Sequence, residues 1–127
     1  MTDADLIRIA TELAGDFRTS DSCSAGGVAA ALVTRSGNVY TGICIDTDCS
    51  LGFCAEHAAV ADMLKARESE IAMIVAVWEG KIVAPCGRCR ELLWQVSPKG
   101  SETRVILGPG VVRPLADLLP QRTDFSQ

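Results

Sequence analysis

Three cysteines and one glutamate constrain this chain more than any other feature. Cys54-Ala55-Glu56-His57 is followed downstream by Pro85-Cys86-Gly87-Arg88-Cys89-Arg90, and any fold must bring the two stretches together. A structural zinc site fills its four tetrahedral positions with protein ligands, whereas a catalytic site uses three and leaves the fourth open. Cys54, Cys86 and Cys89 supply three. Cys86 and Cys89, three positions apart, share one helix face. A helix opening at each motif therefore aims all three sulfurs into the space between two helix N-termini. Such ends favour negative charge, which lowers thiol pKa and keeps the ligands as thiolates. Glu56 stands two residues past the first ligand, placed to move protons beside a metal without ligating it.

The rest of the composition narrows the setting. A chain of 127 residues with 48% apolar content supports one core, and residues 1–127 read as a single domain. Six cysteines in so short a chain could form a disulfide framework. No signal peptide precedes them, however, and two lie in a C-x-x-C, so the expectation is reduced, metal-binding thiols in a cytoplasmic protein with one zinc ion per chain. The formal net charge is −4 and no run of lysine or arginine occurs. This argues against a phosphate-tracking surface and hence against a nucleic-acid partner. No apolar run reaches the roughly 18 residues that a membrane span needs.

Along the chain, apolar residues at helical spacing from Thr2 to Phe17 predict an amphipathic helix with Thr2 as N-cap. Asp16 to Gly27, rich in Ser, Gly and Asp and carrying Cys23, reads as a loop whose length suits a substrate-facing role. Val28 to Thr34 and Val39 to Ile45 predict a hairpin, and Asp46 to Gly52 a loop bearing Cys49. A helix then runs from Cys54 to about Arg67. Ile71 to Trp78, almost continuously apolar, predicts a strand buried on both faces at the centre of the sheet. Pro85 opens a second helix ending before Ser97-Pro98-Lys99-Gly100, and Thr103 to Leu107 makes a further strand parallel to the central one. Val111 to Arg113 reads as an edge strand and Pro114 to Leu119 as a short terminal helix, with Trp78 and Trp94 in the core.

Zinc and one carboxylate define a reaction. Zinc brings the pKa of water from 15.7 towards about 7, and Glu56 can accept a water proton and pass it to a substrate nitrogen. The fitting electrophile is an amidine-like carbon such as C4 of cytosine, which would lose ammonia. Three thiolates and an ionised Glu56 make the cluster formally −2, so nearby donors are needed to restore Lewis acidity. Arg88, Arg90 and His57 are the candidates. The competing reading is a non-enzymatic, zinc-stabilised interaction module closed by Cys49, Cys54, Cys86 and Cys89.

The two zinc motifs resemble those of the small zinc-dependent cytidine deaminase family, blasticidin-S deaminases included. So do Ala30-Ala31-Leu32 through Tyr40-Thr41-Gly42 and Leu118-Leu119-Pro120. The resemblance implies a three-layer α/β/α fold around a five-stranded mixed sheet and hydrolytic deamination of a small-molecule aminopyrimidine nucleoside. It also implies a homotetramer with active sites completed by neighbouring subunits. By the same likeness Cys44, Asp46, Ala55 and Phe125 are the candidate substrate-binding residues. Two family patterns are altered. Gly26 stands at the Phe of Phe-x-Val-Gly-Ala-Ala, and Cys44-Ile45-Asp46 replaces the Asn-x-Glu that holds ribose hydroxyls.

Overall fold

The structure, a computed structural model, describes residues 1–123, so Phe125 lies outside the described residues. In chain order the elements are α1 (Asp3–Leu13), β1 (Phe17–Ser20), β2 (Cys23–Thr34), β3 (Val39–Thr47), α2 (Ala55–Lys65), β4 (Ile71–Trp78), β5 (Lys81–Val83), α3 (Gly87–Val96), β6 (Arg104–Gly108) and β7 (Val111–Pro114), with 3₁₀ turns at Asp48–Ser50, Gly100–Glu102 and Leu115–Leu118. No helix among the described residues is long and apolar enough to cross a membrane.

The two strands with the longest apolar runs form the middle of the sheet. β2 and β4 pair antiparallel from Val28↔Trp78 to Thr34↔Ile71. β3 covers the other edge of β2. On the far side β6 joins β4 in parallel at Met73↔Arg104 and Ile74↔Val105, as the β-α-β reading requires, and β7 closes that edge antiparallel. Alternation along β2 and β4 divides the core in two. One face buries Ala31, Val33, Val75 and Val77 under Leu6 and Ala10 of α1. The opposite face buries Leu32, Ile74 and Val105 under Ala59, Val60 and Met63 of α2 and Leu93 of α3. The result is the expected α/β/α sandwich.

Each helix has a local cause. Thr2 caps α1 reciprocally, its hydroxyl accepting from the Asp5 N–H at 3.1 Å while the Asp5 carboxylate accepts from the Thr2 N–H at 2.9 Å. The alanine-rich face of α2 lets it lie almost on the backbone of β3. At Gly42 a Cβ would fall 2.3 Å from the Ala59 nitrogen and 2.6 Å from the Ala55 carbonyl oxygen. Only glycine tolerates that approach, which sets the height of the α2 N-terminus, and therefore of Cys54 and Glu56, above the sheet.

The sheet has seven strands rather than five. The additional two are β1 and β5, of four and three residues. All four residues of β1 are exposed, so no alternation marks it in the sequence. Backbone pairing with the start of β2 holds it, next to a bulge at Gly26 where φ is +84° and a Cβ would meet the Gly15 carbonyl oxygen at 2.5 Å. Much of the expected Asp16 to Gly27 loop is thus a hairpin. α1 accordingly stops at Leu13, leaving Phe17 to β1, and β3 continues two residues past Ile45. The expected terminal helix is a single 3₁₀ turn.

The tryptophans part company. Trp94 packs against the core and carries the Arg122 guanidinium 4.7 Å from its ring centroid, while Arg122 also pairs with Glu91 at 2.6 Å. Trp78, expected in the core, is 44% exposed, because it ends β4 where the sheet meets the cleft described below.

Candidate active site

α2 and α3 begin side by side over the same sheet face, and each begins with a cysteine. Cys54 and Cys86 are the N-cap residues, both in extended backbone conformation, while Cys89 lies buried in the first turn of α3. The sulfurs of Cys54 and Cys86 are 3.6 Å apart and those of Cys86 and Cys89 3.5 Å, and all three lie within 4.8 Å of one another. Tetrahedral zinc with bonds of about 2.3 Å needs ligand sulfurs about 3.8 Å apart, so this spacing suits zinc. All six cysteines are free thiols. The four-cysteine alternative does not fit: Cys49 is exposed in the turn after β3, with φ of 60°, outside the converging sulfurs.

The thiols titrate unequally. Burial would raise Cys86, but backbone N–H groups at the start of α3 and the neighbouring sulfurs outweigh it and bring the thiol below its ordinary range. Cys54 is raised, chiefly by burial. Cys89 is raised far more, by burial first and then by the charge of Glu56 and the adjacent sulfurs. Three close sulfurs resist ionising together, and a divalent cation relieves that conflict. The donor set fits zinc chemically as well as geometrically.

Glu56 occupies the first turn of α2 at 5% exposure, and burial raises its carboxyl above the ordinary glutamate range. It is not among the converging ligand atoms. An upward shift moves a carboxyl towards the range in which it can both take and return a proton, as a general acid–base must.

The three basic candidates take different positions. His57 Nδ1 lies 3.6 Å from Cys89 Sγ and its ring stacks on Phe53 at 6.0 Å; burial and then the charge of Arg88 lower its pKa, favouring the neutral ring. Arg88 is exposed and lines the cleft. Arg90 sends its Nε–H to the Pro85 carbonyl at 2.8 Å and Nη1 to the Leu118 carbonyl at 3.3 Å. These bonds differ from the expected contact with sulfur. Arg90 instead fixes the residue preceding Cys86 and ties it to the C-terminal turn.

A cleft of about 810 Å³ opens over Cys54, Cys86 and Glu56. Of the candidate substrate residues, Cys44, Asp46 and Ala55 line it. Cys44 Sγ accepts the Val28 N–H at 3.3 Å and its thiol donates to Asp46 Oδ2 at 3.4 Å, with burial first and Asp46 next raising its pKa. Cys44 is therefore a neutral thiol engaged with Asp46, where an amide would offer two donors and an acceptor.

Asp16, Phe53, Trp78 and Glu79 also line the cleft, and the sequence reading did not pick them out. Phe53 directly precedes the first ligand, Trp78 ends the central apolar strand and Glu79 follows it, so position alone could have marked them. Asp16 opens the Asp16 to Gly27 stretch read as substrate-facing, but nothing singled out its carboxylate. It reaches the cleft because β1 turns back on β2, bringing its carboxylate beside Gly27, within 3.7 Å of where a Cβ there would sit.

Comparison with known proteins agrees with this geometry. A family model described as "Cytidine and deoxycytidylate deaminase zinc-binding region" matches residues 1–103. The crystal structure of cytidine deaminase from Mycobacterium tuberculosis is 30% identical, with 98% of this chain and 100% of that one covered and a TM-score of 0.81. The Burkholderia pseudomallei cytidine deaminase is 31% identical over 97% of this chain and 100% of that one, with a TM-score of 0.75. For the Mycobacterium leprae enzyme the values are 25%, 95%, 100% and 0.78.

Proposed function

The chain belongs to the cytidine and deoxycytidylate deaminase family, and from that premise we propose that it is a zinc-dependent hydrolase removing the 4-amino group of a cytosine nucleoside as ammonia. The observation that carries this reading is the buried Glu56 beside three convergent sulfurs, of which those of Cys54 and Cys86 belong to residues lining the cleft.

Cys54, Cys86 and Cys89 would hold the zinc. The ion would supply Lewis acidity, bringing the pKa of water towards about 7. Glu56 takes one water proton and delivers it to the ring nitrogen next to C4, then hands a proton to the departing amine. The water oxygen bonds to C4 first, making that carbon tetrahedral; the proton of the new C4 hydroxyl then passes through Glu56 to the amine, the C–N bond breaks, and water and substrate yield the 4-oxo product and ammonia. The His57 ring beside Cys89 and the N–H groups at the start of α3 draw charge from sulfur, keeping three thiolates compatible with a Lewis-acidic metal. The reducing cytoplasm would keep these thiols available.

Ring chemistry is better defined than recognition of the attached sugar. With Cys44 committed to Val28 and Asp46, a ribose hydroxyl loses the amide partner that an asparagine would offer. A buried hydroxyl left unpaired costs about 1–3 kcal/mol, or about 5- to 150-fold in binding. A cytosine nucleoside with an altered sugar, blasticidin S being one, is therefore expected to exceed cytidine and deoxycytidine in kcat/KM. A panel of cytosine, cytidine, deoxycytidine, 5-methylcytidine and blasticidin S, followed by loss of the 4-amino absorbance, tests this. If cytidine and deoxycytidine rank first, the argument from Cys44 and Asp46 is wrong.

The assembly we propose is a homotetramer. Leu51 is 81% exposed, Phe53 in the cleft lining is 38% exposed, and Leu64 on α2 is also exposed. Closed symmetry would cover such surface, and Phe125 would then reach a neighbour's cleft. Light scattering should give four times the chain mass of 13.5 kDa, and an active, stable monomer would refute the assembly.

A further inference from the structure

Cys89 is the fully buried ligand, and His57 reaches its sulfur from outside the ligand set, with Nδ1 3.6 Å from Sγ. A metal-bound thiolate can only accept, so a hydrogen bond across this distance needs the ring's proton on Nδ1. The position of His57 on α2 does not secure that. The ring torsion of histidine is broad and roughly two-fold, and a neutral imidazole carries its proton on either nitrogen. Helix geometry therefore brings the ring near Cys89 without choosing its plane or its tautomer.

Phe53 supplies the missing constraint. Its ring stacks on His57 with centroids 6.0 Å apart and planes 17° apart, an offset arrangement that aromatic pairs prefer. Phe53 is itself tied to β3 rather than to α2: its N–H donates to the Ile45 carbonyl at 3.1 Å, and its carbonyl accepts the Ile45 N–H at 3.0 Å. Gly52 permits this approach, since a Cβ there would fall 1.8 Å from the Ile45 carbonyl oxygen. The sheet thus fixes Phe53, and Phe53 fixes the plane of His57. Of the two ring orientations left in that plane, one presents Nδ1 to Cys89 and the other a carbon. We infer that Phe53 is a positioning residue for the metal centre, holding His57 as the Nδ1–H tautomer that donates to the Cys89 thiolate; this rests on the zinc reading above.

His57 is the only histidine of the chain, so its ring nitrogens can be observed without overlap. With those nitrogens isotopically labelled and zinc bound, NMR at about pH 8, above the ordinary histidine pKa of about 6.5, should find the proton on Nδ1. With cadmium in the site as its NMR-active isotope, a softer ion suited to thiolates, the same proton should show scalar coupling to the metal through sulfur. In Phe53→Leu the tautomers should mix and the coupling should vanish. Zinc affinity, measured by competition with a chromophoric chelator, should fall by about 2- to 13-fold, the worth of one aromatic pair. His57→Leu should lose about 10- to 100-fold. Phe53→Tyr keeps the ring and should keep the coupling and the affinity.

The double variant Phe53→Leu, His57→Leu separates positioning from packing. If Phe53 acts through His57, the double variant binds zinc as His57→Leu does alone. At 38% exposure Phe53 can give way to leucine without opening the core, and a purely structural loss would add in both backgrounds. Because Phe53 also lines the cleft, rates would mix its contact with substrate and its effect on His57, whereas these readouts need bound metal and no turnover. A proton on Nε2 in the unaltered protein overturns the inference, as does coupling that survives in Phe53→Leu or losses that add in the double variant. A protein that shows the coupling yet releases no ammonia keeps this inference and overturns the deaminase reading. One that binds neither zinc nor cadmium overturns both.

Discussion

Replacing Glu56 by glutamine is expected to lower turnover by at least about 10²–10⁴-fold while the protein keeps its fold and its zinc. The same group moves a proton at more than one step, so the loss should lie at the upper end or beyond. The amide has the size of the carboxyl and cannot exchange a proton at neutral pH. It ligates nothing, since Glu56 stands outside the three converging sulfurs. Stability should not fall. In the metal-free protein burial holds the folded carboxyl above its unfolded pKa, so folding stability is lost as pH rises through that interval. Glutamine removes that loss. Turnover by the Glu56→Gln protein at more than about a tenth of the normal rate would remove Glu56 from the mechanism.

Replacing Cys86 by alanine should have the opposite profile: zinc is lost, and stability and activity are lost with it. Cys86 is the thiol most readily ionised and the one within 3.6 Å of both other sulfurs, so its removal leaves two thiols that burial keeps protonated. A metal that binds only the folded state at about 1,000 times its Kd stabilises by about 4 kcal/mol, and that contribution should disappear from thermal unfolding measured with and without added zinc. Cys49→Ser is the matched control and should keep one zinc per chain, since Cys49 lies apart from the site. A Cys86→Ala protein that retains one tightly held zinc would mean that other donors bind it.

The places of these two residues at the starts of α2 and α3 were legible in the sequence because spacing sets them. Cysteines three apart at the start of a helix must share a face, and Pro85 and the alanine-rich run after Cys54 announce where those helices begin. The long strands were legible for the same reason: Ile71 to Trp78 is apolar enough to be buried on both sides, and β2 and β3 flank an evident turn. β1 was not, because Phe17-Arg18-Thr19-Ser20 is held by backbone pairing and carries no side-chain periodicity. That omission concealed how Asp16, at the start of the stretch read as substrate-facing, reaches the cleft, since its place there depends on the chain folding back. Arg90 was singled out because it stands next to Cys89 in sequence, yet sequence cannot say which acceptor a guanidinium finds. Its bonds run to the Pro85 and Leu118 carbonyls. Trp78 illustrates the limit of hydropathy, since a large apolar residue at the last position of a buried strand projects beyond the layer that buries the others.

The most direct test measures bound zinc and released ammonia on one preparation of the unaltered protein supplied with the nucleoside panel. The account predicts one zinc per chain, ammonia formed one-for-one with the 4-oxo pyrimidine, and loss of both activity and metal on chelation. Protein that is folded and holds one zinc per chain, yet releases no ammonia from any cytosine nucleoside, would contradict it.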